Sequence, residues 1–433
     1  MTRSTLVKLA QIRAARAALL SVAAVTLSLS GFSAIASAAN VEYSVSERTV
    51  RFKSPRMPTG TNAKSAVVMD AETGRMLWAL RPNQRRLIAS TTKIMTALVA
   101  ISRTRPNELL TATAYPAGPG ESLLGLKPGE RMTAKDLLTG LMLASGNDAA
   151  DTLAARTATS RAAFVRAMNR RARTLGLRGT LFGNPVGLDV PETYSTASDL
   201  AKLTQHALTE PRFANIVGKS KATLRSGART RRISNRNRLV GRYSYVDGVK
   251  TGRTLAAGYV LVGAASREDA RVISVVTGEP SETARDKDTL KLLRFGRAFY
   301  RPVEPLSRDR GALRLPVALQ DITAEAYPQR DVRFAVRSGD RLRVTAVAPE
   351  QLKGPLAAGT RVGTATVFRE GERVADVPLR LRRAVLSPPT LAVVVHQIGK
   401  ALPYVAILGL IGLLGFVVIR RRRLRTHRPE YVG

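Results

Sequence analysis

The chain has 433 residues, room for two or three domains at about 150 residues each, and its 44% hydrophobic content excludes wholesale disorder. It has no cysteine, three histidines and a formal net charge of +37, carried mostly by 55 arginines. Thiol catalysis, disulfides, thiolate metal sites and a histidine-rich zinc site are therefore excluded.

In chain order, residues 1–38 read as a secretory signal. Arg3, Lys8, Arg13 and Arg16 are followed by an uncharged run to Ala39, with Ala36-Ser37-Ala38 as a small-x-small cleavage site. The competing reading, an uncleaved anchor, is weakened by an apolar core that is short and broken by Ser and Thr. Residues 39–61 are mixed and polar, and are expected to be a linker or N-terminal arm. Ala66–Met69 and Met76–Leu80 read as strands around the turn Ala71–Gly74. From Ser90 the period changes: Ile94, Leu98 and Ile101 lie on one helical face, and Ala134–Ala155 is again helical. Strands return at Tyr259–Ala265 and Val272–Thr277, and Leu290–Phe299 closes as a helix. The pattern predicts an α+β domain over 62–302.

Pro302 and Pro305 mark the expected boundary. Short strands punctuated by Gly339-Asp340, Gly359 and Glu370-Gly371 then predict a small all-β domain over 306–385. Leu402–Ile419 is an uncharged run of 18 residues, about 27 Å as a helix and close to a ~30 Å hydrocarbon core. Arg420–Arg423, Arg425 and Arg428 follow, so the positive-inside rule makes 420–433 a cytoplasmic tail. A strongly basic chain suggests nucleic acid, but an exported one meets wall polymers and lipid headgroups instead.

Three short motifs follow one another. In Ser90-Thr91-Thr92-Lys93, serine and lysine share a helix face at i, i+3. A serine hydroxyl needs an adjacent base, and only His206 lies in the first predicted domain, so a neutral Lys93 amine is the candidate. Ser145-Gly146-Asn147 offers a hydroxyl to relay a proton and an amide to hold a carbonyl. Lys250-Thr251-Gly252, read as an edge strand, offers backbone to an extended peptide, Lys and Thr to a carboxylate, and Gly for close approach. Each has a plainer reading alone: a helix cap, a polar kink between helices, and a hairpin turn.

Together with Val68–Gly74, Asn184–Asp189, Asp247–Gly252 and Ala257-Gly258-Tyr259, these motifs make the chain resemble the D-alanyl-D-alanine carboxypeptidases, the low-molecular-weight penicillin-binding proteins with S-x-x-K, S-x-N and K-T-G. The resemblance covers about residues 62–300 and is looser over Ala357–Gly363 and Val377–Leu379. It implies a β-lactamase/transpeptidase-like catalytic domain, no metal or cofactor, a peptidoglycan stem peptide as substrate, and β-lactams as covalent inhibitors. It implies that Ser90 attacks the carbonyl between two D-alanines, that Lys93 takes its proton, and that Ser145 and Lys250 pass a proton to the leaving D-alanine. Asn147 would bind a substrate amide, and Thr251 and Arg285 the terminal carboxylate. The N–H groups of Ser90 and Arg253 would form the oxyanion hole beside Gly252.

The chain departs from the family's pattern in three ways: Arg253 follows KTG, a full apolar span replaces the amphipathic tail helix, and the exported part is unusually basic. Arg225, Arg229, Arg231, Arg232, Arg236, Arg238 and Arg242 crowd one stretch, read as a solvated loop face or as a trap for anionic wall polymer. Rival readings are a D,D-endopeptidase, a β-lactamase with Glu192 as water base, and a non-catalytic wall scaffold.

Overall fold

The structure, a computed structural model, describes residues 40–425; the expected signal segment and the end of the basic tail lie outside the described residues. The catalytic half is organised around one antiparallel sheet. Its strands are β2 (Ser65–Asp70), β3 (Met76–Leu80), β8 (Val246–Thr254), β9 (Gly258–Arg267) and β10 (Ala270–Glu279); two short pairs, β4 (Leu109–Thr111) with β5 (Arg131–Thr133) and β6 (Lys221–Leu224) with β7 (Arg231–Ser234), lie outside it. The sheet runs in the order β3-β2-β10-β9-β8, so the two ends of the domain sequence meet at its centre.

Alternation along these strands sends side chains to two separate cores. Val67, Met69, Val262, Ile273 and Val275 face a helical cluster. Ala66, Val68, Leu261, Val272 and Val276 face a single helix, α7 (Glu282–Arg297), through Leu292, Leu293 and Phe295. With both faces covered, β2 carries no polar alternation and is buried throughout.

The cluster is built on α1 (Lys93–Ile101), all nine residues of which are buried. Packed on it are α2 (Ala134–Leu143), α3 (Asn147–Arg156), α4 (Arg161–Thr174), α5 (Ala197–Leu208) and α6 (Pro211–Val217). A helix buried on every side forces Lys93 into the interior with it. The predicted single helix over 134–155 is two helices, because the chain breaks at Ser145, whose φ of +64° is the left-handed region a helix cannot hold. Thr133 starts α2 by accepting from Asp136 N at 3.2 Å.

The C-terminal half is all β, as expected. Its main sheet runs β1-β15-β16-β17-β13-β12, formed by β1 (Asn40–Thr49), β12 (Leu313–Pro316), β13 (Thr323–Pro328), β15 (Arg341–Pro349), β16 (Arg361–Arg369) and β17 (Glu372–Leu381). A pair, β11 (Tyr300–Leu306) and β14 (Val332–Arg337), packs Leu306, Phe334 and Val336 into the same core as Leu315, Val344, Val367 and Leu379.

Two sequence expectations are corrected here. Residues 40–49, expected to be linker, form the edge strand β1, with Tyr43 opposite Ala346. Val41, Tyr43 and Val45 alternate at the strand period, and Tyr43 and Val45 pack against the β core. Pro302 and Pro305 lie inside β11 rather than between domains; a proline is tolerated in a short pair with a free edge. Tyr300, the first residue of β11, is buried between the halves and donates to Asp70 Oδ2 at 2.6 Å, while Ala335 N donates to Asp269 Oδ1 at 2.6 Å. Residues 50–63 cross back to α7, where Asp288 accepts from Thr61 Oγ1 and Asn62 N.

The chain closes with α8 (Thr390–Arg425), 36 residues and continuous through the predicted span 402–419. Residues 390–400 belong to it as well. Large apolar side chains are exposed along it from Leu391 to Ile419.

Candidate active site

Ser90 sits in a turn of 3-10 helix, Ala89–Thr92, that feeds directly into α1. Lys93 Nζ lies 2.9 Å from Ser90 Oγ, 2.6 Å from Asn147 Oδ1 and 2.5 Å from Val186 O. Burial pulls the Lys93 pKa down to about 7; Glu121 opposes the shift, Arg236 adds to it, and Asp148 opposes it. A neutral amine has two N–H groups and one lone pair. Asn147 Oδ1 and Val186 O can take the two N–H groups, which leaves the lone pair for the Ser90 hydroxyl.

Val186 reaches Lys93 because the loop 184–188 is wound around one side chain. Asn184 Oδ1 accepts from the N–H groups of Val186, Gly187 and Leu188 at 3.2, 2.7 and 3.1 Å. Gly187 has φ +85°, and a Cβ there would lie 2.1 Å from Ala89 O. Only glycine lets this loop lie against the backbone beside Ser90.

Ser145 occupies the break between α2 and α3 and lines the cleft. Asn147 is the first residue of α3 and is buried. Its Nδ2 donates to Glu121 Oε2 at 2.6 Å and its backbone N to Ser122 O at 2.7 Å. Glu121 also accepts from Tyr115 Oη at 2.5 Å and Gly118 N at 2.8 Å. Burial would raise the Glu121 pKa, but hydrogen bonds from Tyr115, Asn147 and Gly118 hold it below the usual value. Asp148 secures the same loop by accepting from Leu124 N and Leu126 N. Asn147 therefore bridges Lys93 and Glu121, just behind the cleft wall.

β8 is the free edge of the sheet, as the edge-strand reading requires. Lys250 is buried and donates to Thr251 O at 3.0 Å. Burial, then Lys93, Arg236 and Arg285, push its pKa well below the usual lysine value. A Cβ on Gly252 would stand 3.0 Å from Ile88 O and 3.2 Å from Ser90 N, so the strand backbone runs directly beside that of Ser90.

Arg285, in the first turn of α7, is buried, with its guanidinium on Asp286 Oδ1 (2.9 and 2.7 Å) and Glu282 Oε1 (3.0 Å). Arg253 and Arg285 lie over the Tyr259 ring at 5.2 and 5.9 Å.

These elements enclose a cleft of about 250 Å³. Of the expected residues, Ser90, Ser145, Thr251, Gly252, Arg253 and Arg285 line it; Lys93, Asn147 and Lys250 stand behind it. Gly120, Ser122, Arg236, Arg238, Tyr259 and Glu282 complete the wall. Four guanidiniums against one carboxylate make it a receptor for an anion.

Arg236 is fixed at the rim by its backbone N–H on Leu143 O (3.0 Å) and its Nε on Ala144 O (2.9 Å). Elsewhere in the basic stretch, Arg225, Arg229, Arg232 and Arg242 are exposed, matching the solvated-loop reading. Arg231 does not match it: it is buried on Glu130, with contacts of 2.7 and 2.8 Å. Neither His206, on α5 against Arg171, nor the exposed Glu192 lines the cleft.

A half-buried serine against a buried, near-neutral lysine, beside an edge strand with room for an extended peptide, defines a serine hydrolase that uses an amine where others use imidazole. The sequence model of D-alanyl-D-alanine carboxypeptidase matches residues 52–281, and the chain belongs to that family. It is 31% identical over 337 residues to the D-alanyl-D-alanine carboxypeptidase DacF of Bacillus subtilis, covering 73% of this chain and 84% of the relative. Among solved structures it is similar to penicillin binding protein 5 of Haemophilus influenzae, at 29% identity and a TM-score of 0.54 over 77% of this chain and all of that one. The Streptomyces K15 DD-transpeptidase matches at 32% identity and a TM-score of 0.54 over 56% of this chain and all of that one.

Proposed function

We propose that this serine-type D-Ala-D-Ala carboxypeptidase removes the terminal D-alanine of peptidoglycan stem peptides through an ester on Ser90. Lys93 takes the Ser90 proton as Oγ attacks the carbonyl between the two D-alanines. The N–H groups of Ser90 and Arg253 receive the oxyanion. Ser145 and Lys250 return a proton to the departing amine, and D-alanine leaves. Water then hydrolyses the ester. Thr251, Arg253 and Arg285 hold the terminal carboxylate; the half-exposed Glu282 side chain can yield its place on Arg285 to that ligand. Asn147 acts by aiming Lys93. β-Lactams acylate the same serine.

The observation that carries this reading is the contact of Lys93 Nζ with Ser90 Oγ at 2.9 Å, where burial lowers the amine's pKa. The test is D-alanine release from a peptide ending in D-Ala-D-Ala. Wild type should release one equivalent and leave any internal cross-link intact, whereas Lys93→Met should release almost none. Unchanged release by Lys93→Met would overturn the assignment of the base.

α8 supplies the anchor in this reading. Residues 390–421 are long and apolar enough to cross a membrane, with Arg420–Arg423 on the cytoplasmic side and the enzyme outside. Labelling of single cysteines on either side of the span in intact cells checks this topology; modification of residue 430 from outside would reverse it.

A further inference from the structure

A cleft of about 630 Å³, larger than the catalytic one, lies in the β domain close to the start of α8. Arg314, Arg382 and Arg383 line it opposite a single carboxylate, Glu325. Glu325 takes Arg314 Nε at 2.9 Å and Tyr327 Oη at 2.7 Å. Arg382 lies 4.3 Å over the Tyr327 ring and donates to Arg308 O and Asp309. Arg383 is exposed and has no hydrogen-bond or ion-pair partner among the described residues.

Apolar side chains rim this basic cleft. Leu319, Ile322 and Leu386 are 37%, 52% and 74% exposed. They are held together, because Gln320 Nε2 donates to Leu386 O at 2.9 Å. Only Leu386–Pro389 separate the cleft wall at Val385 from the first residue of α8. That segment spans at most about 14 Å. α8 begins 12 residues, about 18 Å at 1.5 Å per residue, ahead of the uncharged span 402–419, so its first turns stand at the outer edge of the headgroup zone. The cleft is thus tethered within reach of the lipid surface.

We infer that this end of the β domain docks onto anionic phospholipid: Arg382 and Arg383 take headgroup phosphate while Leu319, Ile322 and Leu386 enter the acyl boundary. Guanidinium suits phosphate by paired charged hydrogen bonds, and basic side chains beside apolar tips are the combination that binds an interface. The apolar rim selects lipid over a soluble wall polyanion, which offers it nothing to enter. The inference rests on α8 spanning a membrane, and it fixes how the catalytic domain stands above that membrane.

The full-length chain, naturally free of cysteine, is labelled at Asp321→Cys with a polarity-sensitive fluorophore. It is placed in nanodiscs of phosphatidylcholine, alone or in equal parts with phosphatidylglycerol. The emission should shift to the blue and resist iodide quenching in the anionic discs only. Arg383→Glu changes the local charge by two and should lower the docked-to-free ratio about thirtyfold, at roughly fivefold per charge near an anionic surface. Release of D-alanine by this variant should be unchanged. Equal emission in both discs, or indifference to Arg383→Glu, would overturn the docking while leaving the span intact. The same shift on adding soluble poly(glycerol phosphate) to neutral discs would replace lipid with wall polymer and also overturn it. A chain that enters neither disc would refute the span and this inference together.

Discussion

The catalytic domain buries charge in two opposite ways. Arg231 and Glu130 meet as a two-toothed pair, with side chains 6% and 2% exposed, in the loops that frame the cleft. Lys93 and Lys250 are buried as completely, yet neither has a carboxylate within bonding distance among the described residues. The pair spends its charge on holding 124–132 against 229–231, since Arg231 also donates to Leu124 O and Gly125 O. Burial disfavours the charged form of both lysines, and that is what makes an amine usable as a base. One arrangement stabilises the frame; the other gives up stability for reactivity.

Ser90→Ala gives the largest effect on that contrast: deacylatable turnover should fall by about a millionfold, the scale seen when a hydrolase loses its nucleophile. Lys93→Met should cost roughly 10²–10⁴ in acylation rate, as loss of a general base does. Stopped-flow acylation by a chromogenic β-lactam measures both.

The pH profile sharpens it further. Lys93 must be unprotonated to act, so kcat/KM should rise with pH and level off above about 7. A profile flat from about pH 5 to 8, across the ~7–8 range to which catalytic lysines are tuned down, would contradict the assignment.

The stability effects should have opposite signs. Arg231→Ala strands a buried carboxylate and should cost about 3–5 kcal/mol. Glu130 is held at about 2, chiefly by the Arg231 hydrogen bonds working against burial. Its folded pKa is depressed, so its stabilisation is present above the unfolded carboxyl pKa and is lost as pH falls toward 2. Lys250 is a base with a lowered folded pKa: the folded state binds fewer protons than the unfolded, which costs stability at neutral pH. Lys250→Met should therefore raise the Tm while cutting turnover. Thermal melts at pH 7 of the two variants should move apart; movement in the same direction would break the comparison.

The smallest effect is expected at Arg285→Lys, which keeps the charge but loses the planar fork; a rise in KM of about tenfold with little change in kcat is the outcome for a carboxylate contact.

Where the sequence was legible, local period or side-chain chemistry carried the signal. Both faces of β2 are apolar, α1 has its i, i+4, i+7 stripe, and β8 could be read as an edge strand because its K-T-G suits an approaching backbone. Ser90, Lys93, Ser145 and Lys250 were singled out because three motifs, each with a plainer reading alone, occur together in one order. What stayed hidden depends on partners distant in sequence. Glu121 sits in the aperiodic run Gly118–Ser122, and only the fold brings it to Asn147. Arg231 is one of many arginines until Glu130, 101 positions away, is seen against it. β1 shows weak alternation but has no strand neighbour nearby; it pairs some 300 residues later with β15. The Pro302 and Pro305 signal is real for backbone chemistry and misleading for domain limits, because a strand with a free edge tolerates proline.

The central claim is that Ser90 is the nucleophile that Lys93 activates, and intact mass of the full-length chain after brief exposure to a penicillin tests it most directly. A single adduct of one drug equivalent, absent from Ser90→Ala and slow to disappear, is the predicted result. No adduct with the drug left intact, or an adduct that persists in Ser90→Ala, would contradict the account.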